Sequence, residues 1–202
     1  MADFRAIAAV SEAVLQILRS NYREEDFNQE LQFRVFTARD FTTPPSAGVS
    51  LFVYRVKPCV GARTPPGPLS FDGRRADTVL PLDIHFMLTV WGGEASLQHA
   101  IAGWMMRLLE DHPTFSAGLL NTVIPGSFRP SEHVEVSLAE LSTEDLLRIW
   151  ETLVQNVYQL SIPYVARGVR IEAISRREPG GGMVEERRLD MGRLVAAQGG
   201  AP

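Results

Sequence analysis

Leu80-Pro81-Leu82-Asp83-Ile84-His85-Phe86-Met87-Leu88-Thr89-Val90-Trp91 alternates by side-chain character and stops at Gly92-Gly93; Ser96 to Asp111 then follows a helical pattern ending at His112-Pro113. Leu82, Ile84, Phe86, Leu88 and Val90 share one strand face, and Asp83, His85, Met87, Thr89 and Trp91 share the other. In the helix, Leu97, Ile101, Trp104, Met105 and Leu108 form one stripe. Ala102, Met106 and Leu109 widen it to about half the circumference at ~100° per residue. The pair reads as one long strand under a helix whose apolar arc a neighbouring element or subunit must cover. No nucleophile, metal cluster or phosphate loop interrupts it, which points to assembly rather than catalysis.

Working outward, the segment from Asp3, read as an N-cap, to Asn21 places Ile7, Val10, Val14, Ile17 and Leu18 on one helical face. Leu31, Phe33 and Val35 alternate with Gln32, Arg34 and Phe36 as a strand does, and Thr42 to Gly48 is a turn or loop around Pro44-Pro45. Val49 to Lys57 is apolar on both parities, the pattern of a central strand covered on both faces. Pro58 to Asp77 is a long loop rich in Pro and Gly. Phe115 to Pro130 reads as loop and Val134 to Leu138 as a short strand. Ser142-Thr143-Glu144-Asp145 opens a helix with a capping box in which Asp replaces Glu. Its expected buried face is Leu146, Leu147, Trp150, Leu153, Val154 and Val157. The last strand, Tyr158 to Ser175, contains Pro163, which cannot donate to a ladder, so the strand is an edge there or carries a bulge. The expected class is α+β: a small sheet with about three helices in a domain of residues 1–176, followed by a flexible tail, 177–202.

Composition narrows the function. The 202 residues carry a net charge of -4, no basic footprint for nucleic acid. The N-terminus has no signal-peptide pattern, and no apolar stretch approaches a membrane span. The single cysteine, Cys59, excludes an intramolecular disulfide and implies a reducing compartment. Lys57 is the only lysine among 20 basic residues. Arginine suits interfaces because its guanidinium makes bidentate pairs and is cheaper to desolvate, although a GC-rich genome produces the same bias.

The chemistry-bearing residues are few. Asp83 and His85, two apart on one strand face, are half of a catalytic or metal arrangement, but His99, His112 and His133 form no HxxxH or HExxH pattern with them. The expected role is a buried polar pair. Tyr54-Arg55 on the second strand would place Arg55 in the interior, where it needs a carboxylate such as Asp83. Trp104 and Trp150 are read as core anchors. Cys59 lacks a neighbouring base, and Gly180-Gly181-Gly182 does not join a strand to a helix, so it is no phosphate cradle. Arg74-Arg75 and Arg176-Arg177 are small basic patches. No cofactor and no metal is expected.

Four blocks in order resemble the cap, or tail-terminator, proteins of phage-tail-like contractile injection systems in their N-terminal domain. They are Ile7-Ala8-Ala9-Val10; Tyr54-Arg55-Val56; Pro81 to Thr89 with the helix ending His112-Pro113; and Leu141-Ser142 to Trp150 with Tyr158-Gln159-Leu160-Ser161-Ile162-Pro163-Tyr164. The loop 58–77 departs from the asparagine- and arginine-bearing pattern of relatives. Pro163 breaks a strand they continue, and some relatives carry a further C-terminal domain.

The resemblance implies a largely antiparallel sheet flanked by helices and a ring, typically hexameric, seated on the last tube and sheath rings. The partners would be the tube protein, the sheath protein and the chain itself, with no nucleic acid and no membrane insertion. The protein would be cytoplasmic during assembly and then part of a particle open to release. A phage tail terminator or tail-completion protein would look similar, and a small enzyme using Asp83 and His85 is the rival class. Ring closure needs two different patches in contact, which we place at Met106, Leu109, Pro163, Arg74 and Arg75. Val184, Leu189, Met191 and Leu194 in the tail are expected to attach to sheath by strand addition.

Overall fold

The computed structural model describes residues 2–59, 79–154 and 157–172. Six strands form one sheet: β1 (Gln32–Val35), β2 (Gly48–Pro58), β3 (Val79–Trp91), β4 (Thr114–Ser116), β5 (His133–Leu138) and β6 (Ser161–Glu172). Their spatial order is β1-β2-β3-β6-β5-β4, antiparallel throughout except for the parallel pair β1–β2. The helices are α1 (Ala6–Asn21), α2 (Ala95–Asp111), α3 (Ala117–Val123) and α4 (Thr143–Leu153). No helix of the described residues is long and apolar enough to cross a membrane.

β3 runs between β2 and β6 and builds both layers. Toward one face Leu82, Ile84, Phe86, Leu88 and Val90 are buried in the main core with α1, α2 and α3. Toward the other, Met87 and Trp91 join Phe36, Phe41 and Trp150 in a second cluster beneath α4. Burying a large apolar side chain stabilises by roughly 1.5–3 kcal/mol, so this strand end, apolar on both parities, can only sit between two covered faces.

The long α1 is buried through Ala6, Ala9, Val10, Ala13, Val14, Leu15, Ile17 and Leu18, with Ile7 only half-buried. It starts at Ala6, three residues after the expected cap: Asp3 instead accepts from the Arg5 backbone N–H at 2.8 Å, outside the helix. Ala2 pairs in parallel with Ile171 and ties this end of the chain to β6. α4 begins as expected. The Ser142 hydroxyl accepts from the Asp145 backbone N–H at 3.1 Å and donates to its carboxylate at 2.7 Å.

Several expectations are corrected. Phe115 to Pro130 contains β4 and α3. The helix has only seven residues and includes Gly118, too short for a period to show, and is capped by Ser116 Oγ accepting from the Leu119 N–H at 3.4 Å. Val35 is 38% exposed while Phe36 is buried, because the chain leaves β1 there and Phe36 enters the opposite layer. Of the face expected for α4, Leu147 is exposed and Val157 lies beyond the helix end and is exposed, while Ile149 packs into the cluster.

β6 is an interior strand, yet Pro163 obeys the rule that flagged it. β5 pairs with β6 only from Arg167 to Tyr164, so the ring nitrogen of Pro163 falls where that neighbour has ended, and its carbonyl accepts from the Ala139 N–H at 3.0 Å. β6 also carries a bulge, where Leu82 faces Val169 but Ile84 faces Ala166, with Gly168 at φ 86°.

Gly48 opens β2 at φ 144°, and a Cβ there would stand 1.9 Å from the Gln32 carbonyl oxygen of β1. Gly48→Ala should therefore break the β1–β2 register and cost roughly 3 kcal/mol, read as a lowered urea midpoint. An unchanged midpoint would show that β1 adds little to the sheet.

Candidate functional site

The second layer covers only one end of its sheet face. There a chain of polar groups is fully used. The Trp91 indole donates to Ser50 Oγ at 2.8 Å, and the Trp150 indole donates to Ser161 Oγ at 3.2 Å. Ser161 Oγ donates its own proton to the Gln159 carbonyl at 2.9 Å, so at its 2.9 Å contact with Thr89 Oγ1 it accepts. Phe41 meets Trp150 edge-on at 5.4 Å between centroids, and the aromatic pairs fix α4 against the 3-10 turn Ala38–Thr42.

Beyond this cover the same face is open. β2 bulges at Tyr54: Val53 stands opposite Phe86, while Arg55 stands opposite His85 and Lys57 opposite Asp83. The bulge carries Tyr54 to His85, with ring centroids 6.1 Å apart, and leaves Arg55 exposed. From the next strands Arg167 and Arg170 join the face, Arg167 donating to Ser137 Oγ at 2.8 Å.

The residues singled out from sequence separate here. Trp150 is buried, as expected of a core anchor. Trp104 is half-buried against Phe27 and Phe33. Tyr54, Asp83 and His85 are half-buried on the open face, and Arg55, expected inside with a carboxylate, is exposed because the bulge turns it out. Leu109, expected at a subunit contact, is 1% exposed and belongs to the chain's own core, whereas Met106 is 37% exposed. The widened arc of α2 is thus largely covered from within. Arg74, Arg75, Val184, Leu189, Met191 and Leu194 lie outside the described residues.

Among the described residues no hydrogen bond or ion pair joins Asp83 to His85, and no group of three or more His, Cys, Asp or Glu could hold a metal ion. Burial and then the Arg55 charge lower the His85 pKa from 6.5, with Arg167 and Lys57 adding to this and Asp83 opposing it. Arg55, Lys57, Arg167 and Arg170 give the face an excess of positive charge over Asp83 and Glu135.

Because the folded state lowers the His85 pKa, the unfolded chain takes up the proton first on acidification. The contribution of this site is fully present above pH 6.5 and is lost as pH falls through the folded value. The urea midpoint of the wild type should fall more between about pH 7.5 and 5.5 than that of His85→Gln. Parallel profiles would show that neither burial nor the neighbouring cations lower the His85 pKa in the folded chain.

The comparisons with known proteins concern the whole fold. No curated protein sequence matches the chain. Solved structures do, and two are described. One is described as the PVC sheath/tube terminator of an extracellular contractile injection system in the extended state, with 18% identity and TM-score 0.53, covering 85% of this chain and 58% of that one. The other is the anti-feeding prophage cap, described as the AFP tube-terminating cap, with 17% identity and TM-score 0.55, covering 86% and 58%. The likeness establishes the fold, and this chain spans less than two thirds of either structure. The model of the Pvc16 N-terminal domain matches residues 9–185. The chain belongs to the Pvc16 N-terminal domain family.

Proposed function

We propose that this chain is a structural terminator: it caps the tube and sheath of an extracellular contractile injection system. The observation that carries this is the family match across residues 9–185. The shared fold with a sheath/tube terminator and with a tube-terminating cap supports it. The architecture suits the task. A sheet covered on both faces at one end is a stiff platform, and its open end presents charged side chains on strands rather than on loops.

A terminator meets two kinds of neighbour, the tube and sheath proteins and copies of itself. We propose a closed ring, a hexamer, with Met106 among its contacts. The residues after Arg176, with Val184, Leu189, Met191 and Leu194, are proposed to hold the sheath by strand addition. A closed ring requires two different patches in contact.

Adding the purified chain to tubes polymerising in vitro should halt growth and leave a cap of density at one end in micrographs. Unaltered length distributions with bare ends would sink the terminator reading. A chain ended at Arg176 should still associate with itself and halt tubes but fail to retain sheath. Undiminished sheath retention would remove the role given to the last residues.

A further inference from the structure

The open sheet face and the turn after α1 carry opposite charge and point in opposite directions. The turn is the 3-10 helix Glu24–Asp26, with Glu24, Glu25 and Asp26 all exposed and Glu30 exposed beside it. It stands at the Gly93–Glu94 end of the sheet: Asp26, Phe27, Asn28 and Gln29 border one hollow with Gly93, Glu94 and Leu97. Arg23 lies beside Glu24 and Glu25, and Arg19 and Arg34 border a separate hollow with Glu30. The turn is held rigidly, because the Tyr22 hydroxyl donates to the Gln29 carbonyl at 2.6 Å and accepts from the Leu31 N–H at 3.1 Å. Phe27 packs edge-on against Trp104 at 5.4 Å, so the turn belongs to the α1 and α2 layer.

The cationic face lies on the other layer and at the other end. Asp83 and His85 mark its place on β3, and Trp91 is eight residues beyond Asp83, roughly 26 Å along a strand. Arg55, Lys57, Arg167 and Arg170 are exposed on it, against the carboxylates of Asp83 and Glu135. Neither acid forms an ion pair with these cations among the described residues. Cations outnumber acids on this face, and acids outnumber cations in the turn. One molecule cannot bring the two together, since they sit on opposite layers and ends of a single sheet. Two molecules set head to tail can.

We propose that the open face of Arg55, Lys57 and Arg167 is the docking surface for the Glu24–Asp26 turn of a second copy of this chain. The inference rests on the ring reading above and assigns that ring its two patches. The contact is heterologous, the type that closes into rings. Its complementary charges set orientation and encounter rate more than they set affinity. An acidic surface of a tube or sheath subunit is the competing occupant.

The test uses four full-length chains: wild type, Arg55→Glu/Lys57→Glu/Arg167→Glu, Glu24→Arg/Glu25→Arg/Asp26→Arg, and one chain carrying all six substitutions. Every substituted residue is exposed, and circular dichroism with thermal melting confirms folding. Sedimentation velocity across a concentration series should show wild-type self-association that weakens with salt. Each triple reversal should weaken it at least about tenfold, and the six-fold variant should restore it. Four results overturn the proposal. They are a wild type that stays monomeric throughout, a cation reversal that associates unchanged, a six-fold variant no better than the triples, and a cation reversal that loses tube or sheath binding while keeping self-association. The last assigns the face to the tube or sheath. Intact capping with any of the others leaves the terminator reading standing and removes only this contact.

Discussion

The structure depends on the burial of both faces of β3 at its Met87–Trp91 end. On one side Leu88 and Val90 meet the core of α1 and α2. On the other Met87 and Trp91 meet Phe41 and Trp150. Apolar burial is non-directional and would tolerate α4 in several positions. The polar groups inside the second layer would not. Trp91 must reach Ser50, and Trp150 and Thr89 must both reach Ser161, or buried donors are left without acceptors. An unsatisfied buried donor costs about 1–3 kcal/mol. These few bonds therefore select one placement of α4 and make the covered end of the sheet stiff.

That stiffness has a consequence for the open end. The bulges at Tyr54 and Gly168 both lie beyond the cover of α4 and change the twist of the strands there. They turn Arg55 outward and bring Tyr54 against His85, so a face that begins as an aromatic core ends as a charged shelf. Core and recognition surface are thus successive parts of the same strands. Charged side chains mounted this way lose less freedom on binding than the same groups on a loop. This fits a protein whose work is to hold neighbours in place.

How much was legible in the sequence depends on how local each signal is. The bounds of β3, the body of α2 and the capped start of α4 follow from side-chain period and from Ser142 with Asp145, properties of adjacent residues. α3 was not legible, because seven residues with an internal Gly hold too few turns to show a period. The candidate site was read in part. Asp83, His85, Tyr54 and Arg55 were rightly placed on neighbouring strands but assigned to an interior that does not cover them. Arg167 and Arg170 carried no signal of their own, since pairing with β3, distant along the chain, is what brings them to the face.

The two-sided burial expected of Val49 to Lys57 holds only at the start of β2, with Arg55, Val56 and Lys57 exposed. By itself the sequence determined most of the elements and the side-chain alternation of β3. Those are matters of period and residue type within a short window. Only the tertiary structure decided which apolar residues meet the chain's own core and which meet solvent. Leu109 and Met106 lie on the same widened arc of one helix, yet the first is buried and the second exposed. It also decided which charges share a face, because strand order and the two bulges, not spacing along the chain, determine which cations stand together.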